Sequence, residues 1–379
     1  MSPGDVGAWL GRLRLGRAQE RGGVVLVPLL EPTSEPLPST EQGRSMAEGR
    51  RALDGDGAGA AAGAEDVASR DYRPMPEAMA RGELLVMEVS PEGRVGEVLV
   101  VNRGTLPVLA LEGEEWCGAR QNQVLTESIL LRPGTVVRVP VVCSEPGRWS
   151  YRGRGMGPAM GDSGVCLPLD LRAALRAAGH RANVEPGDGA GDRAQEVVRR
   201  GLTGWQSRLG MGETMAEWQE REMRRWEGLE EAFAWVPGQV GWLAGVEGSW
   251  RSVEVVSRPA AWRRWHGKWL RNMLAGADPR GTHDGRQAPA TGTRWREEAM
   301  AVIGELAGGA GLRWPGVDMG EIREWGHGTS CWVGAALVEG NEVLHAGWQW
   351  NSGRWDRWDR WDREQRRGAV PANEVTVWG

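Results

Sequence analysis

The stretch that decides the fold lies in the first half of the chain. It reads LEGEEWCGARQN from 111 to 122, VLTESILLRPGTVVRVPVVC from 124 to 143 and SEPGRWSYR from 144 to 152. The apolar runs have the length of strands, and the polar clusters stand where strands should end. Charged side chains at strand ends can converge on a ligand, but they also occur in ordinary hairpin turns. The residues alone leave both interpretations open.

Strand-like runs on both sides of this stretch predict a core of antiparallel hairpins. The predicted strands cover 23–30, 83–89, 95–102, 106–111, 123–131 and 135–143. We expect 106–111 to pair back onto 95–102, and 123–131 to pair with 135–143 about the turn at Arg132-Pro133-Gly134.

The strand over 135–143 carries two further expectations. Val137, Val139, Val141 and Cys143 share one face by the period of two, so Cys143 should belong to the core. Pro140 cannot donate to a ladder of hydrogen bonds, which predicts an edge strand or a bulge.

The second half of the chain mixes helical and strand patterns. Helices are predicted over 167–178, 192–208, 213–235, 257–275 and 297–307, and strands over 239–246, 250–256, 331–338 and 343–348. The prediction is an α+β fold within one domain, 1–350. Its β-rich antiparallel core is completed by the C-terminal strands, with a helical excursion over 160–235 packed on one side.

Two segments have low complexity. Residues 31–65 are rich in Pro, Ser, Gly and Ala and predict a flexible insert. The tail over 351–379 contains the repeat RWDRWDRWD, which could form a helix with ion pairs four residues apart. Repeat slippage in a G-rich gene is the simpler explanation of this tail.

Composition shows a strong bias. The chain has 22 Trp against 2 Tyr and 1 Phe, and Lys268 is the only lysine among 46 basic residues. G-rich codons serve Trp, Arg, Gly, Val, Met and Glu, so we attribute the bias to the source genome. A tryptophan-lined surface for carbohydrates or bases is the functional alternative.

Charge, cysteines and missing motifs exclude several functions. A net charge of -5 argues against a nucleic-acid binder. The four cysteines form no C-x-x-C pair, and the N-terminus has no signal-peptide core, so we expect a cytoplasmic protein. No apolar run reaches about 18 residues, so we expect no membrane span. The spacings predict no zinc site, no dinucleotide fingerprint and no P-loop.

Several motifs resemble the ARPP-1 family, a domain associated with ADP-ribosylglycohydrolases and rhodanese-phosphatase proteins. They are EGEE (112–115), GARQN (118–122), C-x-E-x-GRW-x-Y (143–151), VPGQVG (236–241), SRPAAW (257–262) and LHAGW (344–348). Two positions depart from the expected pattern, because Arg120 stands in place of Lys and Pro146 in place of Gln. The resemblance implies a connection to ADP-ribose or NAD metabolism.

Candidate catalytic residues are Glu112 and Glu114. Two carboxylates held close together have separated pKa values, as an acid and a base require, and they also suit a hard cation such as Mg²⁺. Gly113 between them predicts an unusual backbone turn. The alternative is that Glu114 and Glu115 only solvate a turn.

Candidate ligand-binding residues follow on both sides of the next hairpin. They are Arg120, Gln121, Asn122, Glu145, Arg148 and Trp149, a set suited to phosphate and to a base or ribose edge. If the hairpin is regular, its ends bring the two clusters together. The alternatives are a salt bridge from Arg120 to Glu114 or Glu115 and a buried Glu145–Arg148 pair.

Two functions remain from the sequence. The first is a domain that binds or processes a phosphorylated or nucleotide-derived small molecule. The second is a non-catalytic interaction or scaffold module whose polar motifs fix turns and ion pairs. His345, alone on a predicted strand, is more typical of a hydrogen-bonded core residue than of a catalytic one.

Overall fold

The computed structural model describes residues 5–32, 71–90, 92–145, 159–184, 201, 214–226, 228–275, 277, 294–308, 312–325 and 331–350. The helices are α1 (Val6–Leu10), α2 (Met75–Ala80), α3 (Leu169–Val184), α4 (Met215–Met223), α5 (Leu229–Ala232), α6 (Pro259–Ala275) and α7 (Arg294–Ala307). The strands are β1 (Arg14–Leu15), β2 (Gln19–Arg21), β3 (Val24–Leu30), β4 (Arg73–Pro74), β5 (Leu84–Glu88), β6 (Glu97–Asn102), β7 (Val108–Ala110), β8 (Glu114–Gly118), β9 (Gln123–Leu125), β10 (Ile129–Leu131), β11 (Val136–Cys143), β12 (Ala159–Cys166), β13 (Gln239–Val246), β14 (Ser249–Val256), β15 (Leu312–Pro315), β16 (Glu321–Trp325), β17 (Trp332–Glu339) and β18 (Glu342–Trp350).

Six strands close into a barrel in the order β11-β6-β5-β12-β8-β9. Along β5 and β6 the buried and half-buried side chains alternate, because every second residue faces the inside of the barrel. Val86, Val100, Val139 and Trp116 lie in the resulting core. Strand β5 pairs with β6, and the predicted burial of Cys143 is confirmed.

The pairing of the two neighbouring runs was wrongly predicted. Strand β7 does not return onto β6; it pairs with β10 and, in parallel, with β4 in a separate three-stranded sheet. The run over 123–131 is therefore split, and only β9 stays in the barrel beside β11. Every residue of β7, β9 and β10 is buried, so alternation cannot indicate which strand is the partner.

Pro140 lies neither at an open sheet edge nor in a bulge. Strand β11 pairs with β6 up to Pro140 and with β9 only from Val141 onwards. The missing N–H of Pro140 thus falls beyond the end of β9, and its carbonyl accepts a hydrogen bond from Oγ1 of Thr126, at 3.1 Å.

A nine-stranded sheet forms the second layer. Its order is β1-β3-β13-β14-β18-β17-β16-β15, with β2 attached to β3, and every pairing in it is antiparallel. Helix α6 covers one face with Trp262 and Trp265, and helices α1 and α7 cover the other. Because both faces are covered, β13 and β18 are buried along almost their whole length. The α+β class with an antiparallel core is confirmed.

The prediction of a helical excursion over 160–235 is only partly correct. Residues 159–166 form strand β12 of the barrel, which pairs with β5 and β8. Its sequence AMGDSGVC contains one β-branched residue, Val165, and shows no regular alternation of apolar and polar residues. Helix α4 begins with a capping box of Thr214 and Glu217, but it ends at Met223, before the predicted helix end.

Other expectations concern segments that are not described. The helix predicted over 192–208 lies outside the described residues apart from position 201, and so do nearly all of the insert over 31–65 and the whole tail over 351–379. Within the described part of the chain, no helix has both the length and the apolar composition needed to cross a membrane.

Candidate functional site

The three carboxylates of the EGEE motif are buried. Glu112 is 2 % exposed, and Glu114 and Glu115 are 0 % exposed, so the alternative that they solvate a turn is wrong. Gly113 has φ +86°, which confirms the unusual backbone turn predicted between them. The turn sends each of the three side chains to a different partner.

Glu112 forms an ion pair with Arg176 of helix α3. Nε of Arg176 lies 2.8 Å from Oε1 and 2.6 Å from Oε2 of the carboxylate, and both side chains are 3 % exposed. Arg176 also donates to the carbonyl oxygen of Gly347 on β18. The pair joins the EGEE turn, helix α3 and the nine-stranded sheet.

One helical turn earlier, Arg172 pairs with Glu254 of β14. The two side chains are 2.5 Å apart and essentially unexposed, and the guanidinium lies 4.3 Å from the centre of the Trp269 ring. Burial by itself raises the pKa of Glu254, but the charge of Arg172, the contact with His345 and the charge of Arg176 outweigh it and lower that pKa to about 2. Glu254 is therefore ionised at neutral pH.

His345 continues this network towards the barrel. Its Nε2 lies 3.1 Å from Oε2 of Glu254, and its Nδ1 lies 2.8 Å from Oγ of Ser128. Ser128 precedes β10 and accepts a hydrogen bond from the backbone N–H of Glu112, at 2.9 Å. A polar layer, consisting of Glu112, Ser128, Arg172, Arg176, Glu254 and His345, thus joins the barrel loops to the large sheet.

Two motif glycines leave room for the arginines of this layer. A Cβ at Gly113 would lie 2.9 Å from Nε of Arg172, and a Cβ at Gly347 would lie 3.1 Å from Nη2 of Arg176 and 2.6 Å from Oε2 of Glu254. Both positions are tighter than side-chain contacts normally allow. The glycines of EGEE and LHAGW are therefore needed for the arginines to reach their partners.

Glu114 points instead to Lys268 of helix α6. Nζ of Lys268 lies 2.8 Å from Oε1 of Glu114 and 2.7 Å from Oδ1 of Asp162 on β12. Trp265 donates to the same carboxylate at 3.0 Å. Burial lowers the pKa of Lys268, but the two carboxylates raise it further, so that the ammonium stays charged.

Sequence reasoning missed Lys268 although a signal was present. In a chain whose other basic residues are all arginine, a single lysine marks a position where arginine does not fit. Arg172 and Arg176 gave no comparable signal, because they are two of many arginines. Ser128 and Glu254 were missed as well.

Glu115 faces the end of the barrel, where the second predicted cluster lies. Its Oε1 accepts from Ser144 at 2.5 Å, while Oε2 of Glu145 accepts from the backbone N–H of Asn122 at 3.0 Å. Gln121 donates to the carbonyl of Glu145 at 3.2 Å. Among the described residues, Glu145 lies beside Gln121 and Asn122 as predicted, and Ser144 connects this end of the barrel to Glu115 rather than to Glu112 or Glu114.

The structure describes only some of the other predicted ligand-binding residues. The backbone N–H of Arg120 donates to Glu88 at 3.1 Å, and Arg148 and Trp149 lie outside the described residues. Burial raises the pKa of Glu115 to about 7, against the lowering effect of its hydrogen bonds from Ser144, Ser163 and Asn122. That carboxyl can therefore exchange a proton near neutral pH.

The positions of Glu112 and Glu114 do not support the predicted binding of Mg²⁺. Glu112 and Glu114 are each matched by a cation of the protein, and no three His, Cys, Asp or Glu residues in the described ranges are arranged to hold a metal ion. The four cysteines are free. Burial raises the pKa of Cys143 to about 11, so its thiol stays protonated.

A family comparison places these motifs in context. The model of the ARG and Rhodanese-Phosphatase-superfamily-associated Protein domain, ARPP-1, matches residues 62–347. The chain belongs to the ARPP-1 family. No curated protein and no solved structure matches it significantly.

The ARPP-1 motifs surround the buried ion pairs. EGEE supplies Glu112 and Glu114, LHAGW supplies His345 and Gly347, and SRPAAW begins helix α6, which carries Lys268. The EGEE turn and strand β18, which lie more than 200 residues apart in the sequence, therefore meet in this ARPP-1 domain at the polar layer, and helix α6 contacts the same turn through Lys268 and Glu114.

Proposed function

We propose that this ARPP-1 domain binds or processes an anionic small molecule, phosphorylated or nucleotide-derived, at the polar layer. The observation that carries the proposal is the state of the two buried arginines. Nε and Nη2 of Arg172 and Nη2 of Arg176 are buried and have no hydrogen-bond partner within the described part of the chain. An unpaired buried N–H costs about 1–3 kcal/mol, so such donors favour an additional acceptor.

Phosphate is the acceptor that suits these donors best. Guanidinium groups present fixed N–H pairs that match phosphate oxygens, and Arg172 and Arg176 stand one helical turn apart on α3. The carboxylate of Glu112 balances the positive charge of Arg176, and that of Glu254 balances the charge of Arg172. The two arginines therefore offer N–H donors, rather than net charge, for recognition of the anion.

A narrower form of the proposal names ADP-ribose or NAD. It is supported by the association in the family's description and by the sequence pattern. In this form Glu112 and Glu114 are the catalytic carboxylates, and the ligand contacts come from Arg120, Gln121, Asn122, Glu145, Arg148 and Trp149. We place the activity in the cytoplasm, because the four cysteines are free thiols.

Thermal unfolding with and without ligand tests the proposal. Pyrophosphate, ADP-ribose and NAD at millimolar concentration should each raise the Tm of the wild type, since ligand binding stabilises the native state. Arg176→Lys should abolish the shift, and Arg263→Lys, an exposed change on α6, should preserve it. A wild type that responds to none of the three anions contradicts the proposal.

A scaffold function is the second candidate. Its support is that the ion pairs join separate elements, since Arg176 contacts both the EGEE turn and strand β18. Under this alternative Arg176→Lys lowers the Tm of the unliganded protein, and no anion changes the Tm of either form.

A further inference from the structure

Ser128, His345 and Glu254 form a continuous hydrogen-bonded chain. Oγ of Ser128 lies 2.8 Å from Nδ1 of His345, and Nε2 of the same ring lies 3.1 Å from Oε2 of Glu254. All three side chains are buried, at 5 %, 1 % and 1 % exposure. They come from a barrel loop and two strands of the large sheet, so only the assembled fold brings them together.

The ion pair with Arg172 determines the direction of the hydrogen bonds. Because Arg172 keeps Glu254 ionised, the carboxylate can only accept, and Nε2 of His345 must carry the proton that it donates. Nδ1 of the neutral ring is then an acceptor, so Ser128 donates its hydroxyl proton to it. The backbone N–H of Glu112 occupies another side of the same hydroxyl oxygen.

This is the arrangement of a nucleophile, its general base and the group that orients the base. We propose that Ser128 is a nucleophile that cleaves a carboxylic ester of an anionic small molecule, with His345 as the base and Glu254 as a positioning residue. The inference rests on the proposed function, because the anionic part of the ester is held by the unpaired N–H groups of Arg172 and Arg176.

The reaction balances without a further reagent apart from water. Oγ of Ser128 forms a bond to the ester carbonyl carbon while its proton moves to Nδ1 of His345. The carbonyl oxygen takes up the electron pair, and its collapse breaks the bond to the alcohol, which leaves with the proton from His345. Water then repeats the two steps, releases the carboxylic acid and restores the Ser128 hydroxyl.

Covalent labelling tests the nucleophile directly. A fluorophosphonate should form an Oγ–P bond with Ser128, with loss of fluoride, and mass spectrometry should locate the adduct on the peptide that contains residue 128. Ser128→Ala should lose the adduct. The control Ser144→Ala removes another buried hydroxyl, which is bonded to Glu115, and should keep the adduct.

Failure of this inference is distinguishable from failure of the proposed function. If the wild type gains stability from pyrophosphate but gives no adduct at residue 128, Ser128 is not a nucleophile and anion binding stands. An adduct that persists in Ser128→Ala overturns the inference equally.

The positioning role of Glu254 has its own readout. Among the described residues, the charged groups with the largest effect on His345 are Glu254 of β14 and Arg172 and Arg176 of α3, and the carboxylate of Glu112 lies in the same polar layer, paired with Arg176. Replacing Glu254 by Gln removes the negative charge that is hydrogen-bonded to His345, so protonation of His345 becomes harder. The acid limb of the labelling rate should move to lower pH and the maximal rate should fall at least tenfold. An unchanged pH profile would show that Glu254 is merely structural.

Discussion

Lys268 lies between two carboxylates, with its Nζ 2.8 Å from Glu114 and 2.7 Å from Asp162. The lysine is 154 positions away from Glu114, and both side chains are nearly or fully buried. A compact ammonium can contact two carboxylates within this space, whereas the planar fork of arginine is larger and has a different geometry. This contact explains why the single lysine of the chain stands on helix α6.

Removing the lysine should destabilise the fold strongly. Lys268→Met leaves Glu114 without its cation, and breaking a buried pair in this way costs about 3–5 kcal/mol. Lys268→Arg should also lower the free energy of unfolding in urea, by more than about 1 kcal/mol, because the larger group displaces Trp265 or Asp162. Arg271→Lys, an exposed change on the same helix, should change it by less than about 0.5 kcal/mol.

The rate of chemical modification of Lys268 should show that this side chain is buried in the folded protein. An amine-reactive ester should modify Lys268 slowly in the native protein, because its side chain is 6 % exposed and its ammonium is charged. In urea above the unfolding midpoint, modification should accelerate at least a hundredfold, as measured by mass spectrometry of the peptide. Equal native and unfolded rates would contradict the buried position.

A methyl group at Gly347 should disrupt the polar layer. The added Cβ of Gly347→Ala would approach Glu254 and Arg176, and we expect a loss of about 2–3 kcal/mol in the free energy of unfolding. Gly267→Ala is the matched control, because nothing lies within 4 Å of its added Cβ in the middle of helix α6. That change should stabilise the protein by about 0.5–1 kcal/mol through helix propensity. Equal effects of the two changes would refute the crowding at Gly347.

Glu324 should make stability depend on pH. Burial, together with the negative charges of Glu112 and Glu127, raises its pKa to about 8, against the lowering effect of Arg176. Between about pH 4.5 and 8 the unfolded chain releases a proton that the folded protein keeps, so this residue lowers stability as the pH rises.

The Gln variant isolates this contribution. Relative to the wild type, Glu324→Gln should gain more than about 1 kcal/mol of unfolding free energy between pH 5 and pH 8. Glu321→Gln, on the same strand with a side chain that is 40 % exposed, is the control and should show little change. If both variants follow the wild-type pH curve, Glu324 is already ionised at pH 5.

Much of the secondary structure followed from local sequence. Strands β5, β6, β13, β14, β17 and β18 and helix α6 were predicted because apolar periodicity and turn residues act within about ten residues. Strands β7 and β10 were assigned wrong partners, because fully buried strands carry no alternation that could indicate a neighbour. Strand β12 was missed, because its Gly- and Ser-containing sequence lacks a strand pattern.

By itself the sequence determined the α+β class, the ARPP-1 motifs, the burial of Cys143 and the unusual turn at Gly113. Only the tertiary structure decided which cation meets which carboxylate: Arg176 meets Glu112, Arg172 meets Glu254 and Lys268 meets Glu114. Local patterns specify which face of an element is buried, but they do not specify which distant element covers it. Buried charges need a partner at hydrogen-bond distance, and that distance is set by the packing of α3 and α6 between the barrel and the sheet.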